Sequence, residues 1–112
     1  RPHNSGHQTI EGNLTSQYEQ HLRAILGYPL GSTKITLPSV MINILGAEGY
    51  EGNVIYDGIE ECMNMEGANF HIYGKKETKP FRKMGHATIV DEDLESAKKK
   101  ARYIQQQLKV IA

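Results

Sequence analysis

The sequence predicts an α+β fold, on three observations. Short apolar runs of strand length, Val40-Met41-Ile42-Asn43-Ile44-Leu45, Phe70-His71-Ile72-Tyr73 and Ala87-Thr88-Ile89-Val90, recur along the second two thirds of the chain. Between the last two runs, Lys75, Lys76, Lys79, Arg82 and Lys83 face a single acid, Glu77, which reads as a hairpin with a cationic tip. Near the end, Leu94, Ala97, Ala101, Ile104 and Leu108 follow three- and four-residue spacing, the signature of a helix with one buried stripe. The expected architecture for residues 34–112 is a small antiparallel sheet or partial barrel packed on one or two helices.

Taken in order, residues 1–13 carry Pro, Gly, Asn and Ser punctuation and read as irregular. A helix is expected next: Ser16 and Glu19 have capping-box spacing, and Leu14, Tyr18, Leu22 and Ile25 recur at helical intervals until Gly27 and Pro29 end the pattern. Residues 27–38, with Pro29, Gly31, Ser32, Thr33 and Pro38, read as a connector. The run Val40 to Leu45, closed by Gly46, is too short for a helix and reads as a strand. Residues 47–53, with Gly49 and Gly52, form a turn-rich loop, and a short helix is expected from an Asp57 cap through Ile59 and Met63. Asp91, Glu92 and Asp93 sit where the last helix presents its positive end. On that helix Lys98, Lys99, Lys100 and Arg102 read as a solvated face.

Composition narrows the function classes. With 112 residues, 38% hydrophobic and 23% charged, the chain holds one modest core or a small domain with an appendage. Thirteen basic residues balance thirteen acidic ones, so no global field draws it to nucleic acid or an anionic membrane, and any attraction for anions is local. No apolar stretch approaches the roughly 20 residues a membrane-spanning helix needs. The single Cys62 cannot form an internal disulfide and reads as a buried small hydrophobe, which points to a reducing, cytoplasmic setting.

Lysine offers a mobile point charge and arginine a planar fork, so the basic tip suits a phosphate group; a solvated basic loop has the same composition. Gly74-Lys75 is followed by Lys76, and the preceding glycine, Gly67, lies too far back for a phosphate loop of the Gly-x4-Gly-Lys-Ser/Thr class. Metal binding by His3 and His7 would need a helix, which Ser5 and Gly6 oppose, so no metal is expected here. Tyr18, Phe70 and Tyr73 read as core, and the eight aromatics are too few and scattered for an RNA platform.

Four blocks, in order, resemble the C-terminal part of N5-carboxyaminoimidazole ribonucleotide synthase: Arg1-Pro2-His3-Asn4-Ser5-Gly6-His7, Thr15 to Ala24, Ser39 to Gly46, and Tyr73 to His86 with its Arg82-Lys83-Met84-Gly85-His86 segment. The resemblance implies an ATP-grasp ligase of purine biosynthesis that carboxylates aminoimidazole ribonucleotide with ATP and bicarbonate. Residues 1–33 would then be the tail of the ATP-grasp domain with its connector, and residues 34–112 the small β-rich C-terminal domain. By the same resemblance Arg1, His3 and Asn4 are catalytic: Arg1 neutralises the activated bicarbonate, and His3 and Asn4 orient it, with His3 also open as a proton acceptor. Lys75 and Arg82 would hold the 5'-phosphate, with Lys83 a weaker candidate because strand alternation aims it away from Arg82. His86 should share the face of Arg82, in a packing role or at the ligand. An opening without an initiator methionine predicts the exposed end of a longer polypeptide. ATP and Mg2+ are then expected only in that longer enzyme, which the resemblance implies as a homodimer, and the 112 residues alone are expected to bind neither and to be inactive. Two other readings stay open: the C-terminal part of the ATP-grasp, folate-free glycinamide ribonucleotide formyltransferase, and a noncatalytic accessory or dimerisation domain.

Overall fold

The computed structural model describes residues 2–112. Its centre is an antiparallel sheet of three strands in the order β1-β6-β4, where β1 is Ser39–Leu45, β4 is Ala68–Ile72 and β6 is Lys83–Val90. Each contains an expected apolar run, lengthened at its start, although β4 ends at Ile72 and leaves Tyr73 outside the strand. β6 lies between the other two because its backbone is paired on both sides, and it is the most buried strand: residues 84–89 are all buried. Alternation gives the sheet two unlike faces. Val40, Ile42 and Ile44 of β1, with Ala87 and Ile89 of β6, belong to the apolar core. Asn43, His86 and His71, one from each strand, form a polar rung on the other face, since Asn43 and His71 both pair with His86.

The long C-terminal helix covers the apolar face. It runs Leu94–Gln107 and buries Ala97, Ala101 and Ile104. Two alanines one turn apart let the helix approach the sheet closely, and Ile104 fills the space beyond them. Asp93 caps its start, the carboxylate accepting from the backbone N–H groups of Glu95 and Ser96 at 3.3 Å. Leu108 continues the apolar stripe but not the helix: its backbone is extended, and residues Lys109–Ile111 form a strand, β7. β7 pairs antiparallel with β3, Ile55–Asp57, while the Ala47 N–H donates to the Val110 carbonyl at 2.9 Å. That link carries the sheet around toward a partial barrel.

Several expectations need correction. Residues 4–12 are ordered as a 3-10 turn, Asn4–Gln8, and a single α-turn, α1, Thr9–Gly12. The His3 ring accepts from the Ser5 N–H at 3.2 Å and supplies the cap that the Pro and Gly punctuation hid. The short helix α3, Ile59–Met63, starts from Gly58 in the left-handed region, φ 85°, and Asp57 does not cap it; Asp57 is the last residue of β3, paired with Lys109. Within the expected loop 47–53, Gly52–Asn53 forms β2, which pairs with β5, Glu77–Thr78, in the middle of the basic tip. Lys100 is not simply solvated: its ammonium donates to the Asp91 carboxylate at 2.8 Å and to the Glu66 carbonyl at 3.0 Å. The Lys100 hydrogen bond and the Asp93 N–H hold the Asp91 carboxyl down at about 2.

The helix α2, Gln17–Leu26, has its expected Ser16 cap, with the Glu19 N–H donating to Ser16 Oγ at 3.1 Å, and ends at Gly27 in the left-handed region. Leu14 lies before it. None of its residues is buried; Leu22, Ile25 and Leu26 are more than half exposed, as are Tyr28, Leu30 and Ile35 beyond it. The excursion returns to its starting point, because the Leu14 N–H donates to the Lys34 carbonyl and the Thr36 N–H to the Gly12 carbonyl, both at 2.9 Å.

Candidate functional site

The 3-10 turn lies across the polar face of the sheet, and its side chains meet the rung residue by residue. In a 3-10 helix, positions i and i+3 eclipse, so Asn4 and His7 point the same way. Asn4 Nδ2 donates to Asn43 Oδ1 at 3.0 Å. His7 stacks on His86, ring centroids 4.2 Å apart and planes within 4°. His86 stacks in turn on His71 at 4.4 Å, and His71 Nε2 bonds Glu11 Oε1. Gln8 Nε2 adds a hydrogen bond to Ser39 Oγ, and the Tyr18 hydroxyl reaches the His3 carbonyl at 3.3 Å. Residues 3–11 are therefore fixed at both ends, while the His3 side chain remains exposed.

Burial and the neighbouring rings disfavour charge on two members of this stack, His86 and His7. His86 is 2% exposed, and burial, followed by the neighbouring His7 and His71, brings it down to about 4. His7 is lowered by burial first, then by His71 and by the charge of Lys83. A neutral His86 accepts from the Tyr73 hydroxyl at Nδ1, 2.9 Å away, while its Nε2 is buried without a partner. His7, Ile10, Tyr18, Phe70, His71, Ile72, Tyr73 and His86 line a shallow cleft of about 570 Å3 over this stack.

The basic tip sits at the start of β6, three residues from His86. It is braced rather than free, because β5 within it pairs with β2 and the Val54 N–H donates to the Lys76 carbonyl at 3.0 Å. Lys75 Nζ donates to the Lys83 carbonyl at 2.7 Å, so those two expected phosphate ligands share one end of the loop. Arg82 Nη1 donates to the Glu77 carbonyl within the same loop, at 3.1 Å. The alternation used to set Lys83 against Arg82 does not apply. Arg82 precedes the strand, and Met84 is an extra residue between the Leu45–Lys83 and Ile44–Gly85 pairs, a bulge that shifts the facing of everything before it. The same bulge separates His86, buried in its stack, from Arg82 on the loop.

Phe81 was not singled out from the sequence. It holds φ at 64°, the one non-glycine positive φ among the described residues, with its ring exposed. A bulky residue there costs about 1–3 kcal/mol, and the surrounding backbone enforces it: the Phe81 N–H donates to the Gly46 carbonyl and the Gly46 N–H to the Arg82 carbonyl, both at 2.9 Å. The strain fixes where Arg82 leaves the loop. The signal for it was Pro80, which biases Lys79 toward extended backbone and tightens the turn.

Of the expected catalytic residues, Asn4 lies on the rung and His3 caps the turn beside it; Arg1 falls outside the described residues. Asn43, His7, Glu11 and His71 were missed as a set, because each is unremarkable until two strands bring Asn43 and His71 into one row with His86 and the turn lays His7 and Glu11 over it. Among the described residues no group of three His, Cys, Asp or Glu side chains lies close enough to hold a metal ion. No helix of the described residues is long and apolar enough to cross a membrane. Cys62 is fully buried and its thiol is pushed up by burial and by Glu61, so it is a core residue and not a nucleophile.

Comparison with known proteins gives these features a context. Residues 39–100 match the family model described as the phosphoribosylaminoimidazole carboxylase C-terminal domain. The chain is 46% identical over 96 residues to the N5-carboxyaminoimidazole ribonucleotide synthase of Mycobacterium tuberculosis, covering 84% of this chain and 22% of that protein. Its fold superposes on the crystal structure of N5-carboxyaminoimidazole ribonucleotide synthetase from Thermotoga maritima with a TM-score of 0.96 and 56% identity, covering 100% of this chain and 31% of that one. The Aspergillus clavatus N5-carboxyaminoimidazole synthase, in complex with ADP and 5-aminoimidazole ribonucleotide, gives a TM-score of 0.80 at 36% identity, over 95% of this chain and 28% of that one. The chain thus spans about a fifth of the length of the curated relative, and under a third of the solved ones.

Proposed function

The chain belongs to the phosphoribosylaminoimidazole carboxylase C-terminal domain family, and from that premise we propose that it is the C-terminal part of a ligase that carboxylates 5-aminoimidazole ribonucleotide to the N5-carboxy product, using ATP and bicarbonate. Residues 1–33 belong to the tail of the ATP-grasp domain, and residues 34–112 form the C-terminal domain. ATP and Mg2+ are held by residues outside this chain, the full ligase is a cytoplasmic homodimer, and the 112 residues alone turn over no ATP.

The observation that supports this reading most is that two sets of anion-handling groups lie along one strand, the basic tip at its start and the turn with His3 and Asn4 packed on it farther along. Lys83, joined to Lys75, opens β6, and three residues along it His86 carries the turn that presents His3 and Asn4. Three residues of strand span roughly 10 Å, which suits a nucleotide whose phosphate lies at one end and whose base amine lies at the other. Lys75, Lys83 and Arg82 hold the phosphate by charge-assisted hydrogen bonds. Asn4 and His3 orient the activated bicarbonate over the amine, and Arg1 balances its charge; the base that takes the amine proton is His3 or a neighbour.

The test is substrate dependence in the full polypeptide that carries this chain. Phosphate release from ATP is expected to require bicarbonate and aminoimidazole ribonucleotide together. Release that instead requires glycinamide ribonucleotide and formate would replace this reading with the formyltransferase.

A further inference from the structure

Three side chains at intervals along the N-terminal segment, Asn4, His7 and Glu11, each meet one side chain of a single rung, Asn43, His86 and His71, contributed by β1, β6 and β4 in turn. The match joins two periodicities that have no local reason to agree. Spacings of three and four residues along the turn and α1 put the three side chains on one side, and pairing in register puts the other three in a row across the sheet. The contacts also differ in kind, being an amide pair, a ring stack and a carboxylate–imidazole bond, so a shift of the segment by one residue would break all three at once. Sequence separation is large: Glu11 and His71 are 60 residues apart.

We infer that Glu11 and His71 are positioning residues for the carboxyl-transfer step: they lock the far end of the segment whose near end carries His3 and Asn4. Neither touches the reacting atoms. Asn4 holds the near end by one hydrogen bond, and the His7–His86 stack and the Gln8–Ser39 bond hold the middle; the Glu11–His71 bond, seven residues from Asn4, fixes the far end so that the segment cannot tilt about those inner contacts. The inference rests on the function proposed above. Its chemistry is specific. If the segment pivots, ATP still activates bicarbonate, but His3 and Asn4 no longer hold the carboxyl group over the amine, and it is lost to water.

The experiment measures phosphate release and carboxylated product separately in the full polypeptide. Glu11→Ala and His71→Ala are each expected to raise the ratio of phosphate to product at least fivefold while the ribonucleotide KM changes by less than about twofold. The double variant should be no worse than either single one, because the two residues act as one contact. Normal coupling in both single variants, or effects that add in the double variant, would overturn the inference. Should Glu11→Ala lose its cooperative unfolding transition, His71→Ala decides the point, with Glu11→Gln, which keeps an Oε1 acceptor, as its control: uncoupling in His71→Ala with coupling kept in Glu11→Gln upholds the inference, and normal coupling in His71→Ala overturns it. His3→Ala serves as the reference. If it uncouples and the anchor variants do not, only this inference fails; if His3→Ala leaves turnover and coupling normal, the reading of the site fails with it.

Discussion

Lys75 and Arg82 spend their charge on backbone carbonyls of their own loop, at 2.7 and 3.1 Å. Such bonds hold a cationic head near where an anion would arrive, and a phosphate that outcompetes a neutral carbonyl gains a charge-assisted contact of roughly 1.5–3 kcal/mol. In the full polypeptide Lys75→Ala and Arg82→Ala are each expected to raise the ribonucleotide KM about tenfold and leave the ATP KM unchanged. Unchanged steady-state kinetics in both would take these residues out of the site. His3→Ala, by contrast, should act on turnover: loss of a preorganised donor costs on the order of a hundredfold in rate, seen as slower product formation with little change in ribonucleotide affinity. At this scale the sequence was legible for residue types and not for directions. That Lys, Arg, His and Asn belong to an anion site follows from their chemistry, but where each points depends on Met84, whose bulge no local pattern announces, and on Phe81, whose φ is imposed by the distant Gly46.

Helices with a long repeat and strands with a long apolar run were foreseen; elements of two or three residues were not. β2, β3, β5 and β7 have no periodicity of their own and exist because a remote partner satisfies their backbone. Leu108 illustrates the ambiguity, since it extends the helical stripe in spacing yet is the residue at which the chain turns from helix to strand. The point where α3 starts is similarly nonlocal. Gly58 is left-handed, and a Cβ there would run into the Gln107 carbonyl at the end of the long helix. Gly58→Ala should therefore destabilise by more than the roughly 1–2 kcal/mol of the backbone conformation alone, lowering Tm by several degrees in a thermal melt. For α2 the expectation concerns dynamics. With no buried side chain and a few polar ties such as Gln20 to Gly31, its amides should exchange orders of magnitude faster than those of β6 in the 112-residue chain; equal protection in a monomer would contradict this.

Across the whole molecule, the sheet is clamped between unlike layers, the apolar stripe of the long helix on one face and a polar, imidazole-rich turn on the other. The second layer makes stability depend on pH. His86 binds its proton at about 4 in the folded chain against an ordinary value near 6.5, so between those values the unfolded state takes up the proton and the native state does not. Stability is fully present above about 6.5 and falls as the pH drops toward 4, by up to roughly 3 kcal/mol from this group. Urea unfolding at pH 7.5, 5.5 and 4.5 measures it, and His86→Phe, which keeps a ring in the stack, should flatten the dependence. The fold class was legible because one core governs it; the coupling of the N-terminal segment to all three strands was not, since it arises only when residues far apart in the chain share a row. The crossing point of the α2 excursion carries a further consequence. Residues 12–14 and 34–36 already lie side by side as neighbouring strands do, so everything between them forms a closed detour. A tight turn joining Leu14 to Lys34 would leave the sheet, the rung and the basic tip in place while taking the Tyr18 hydroxyl away from the His3 carbonyl, and a longer or shorter detour that keeps Tyr18 could be exchanged for this one without reregistering the core: it is a natural splice point in the architecture.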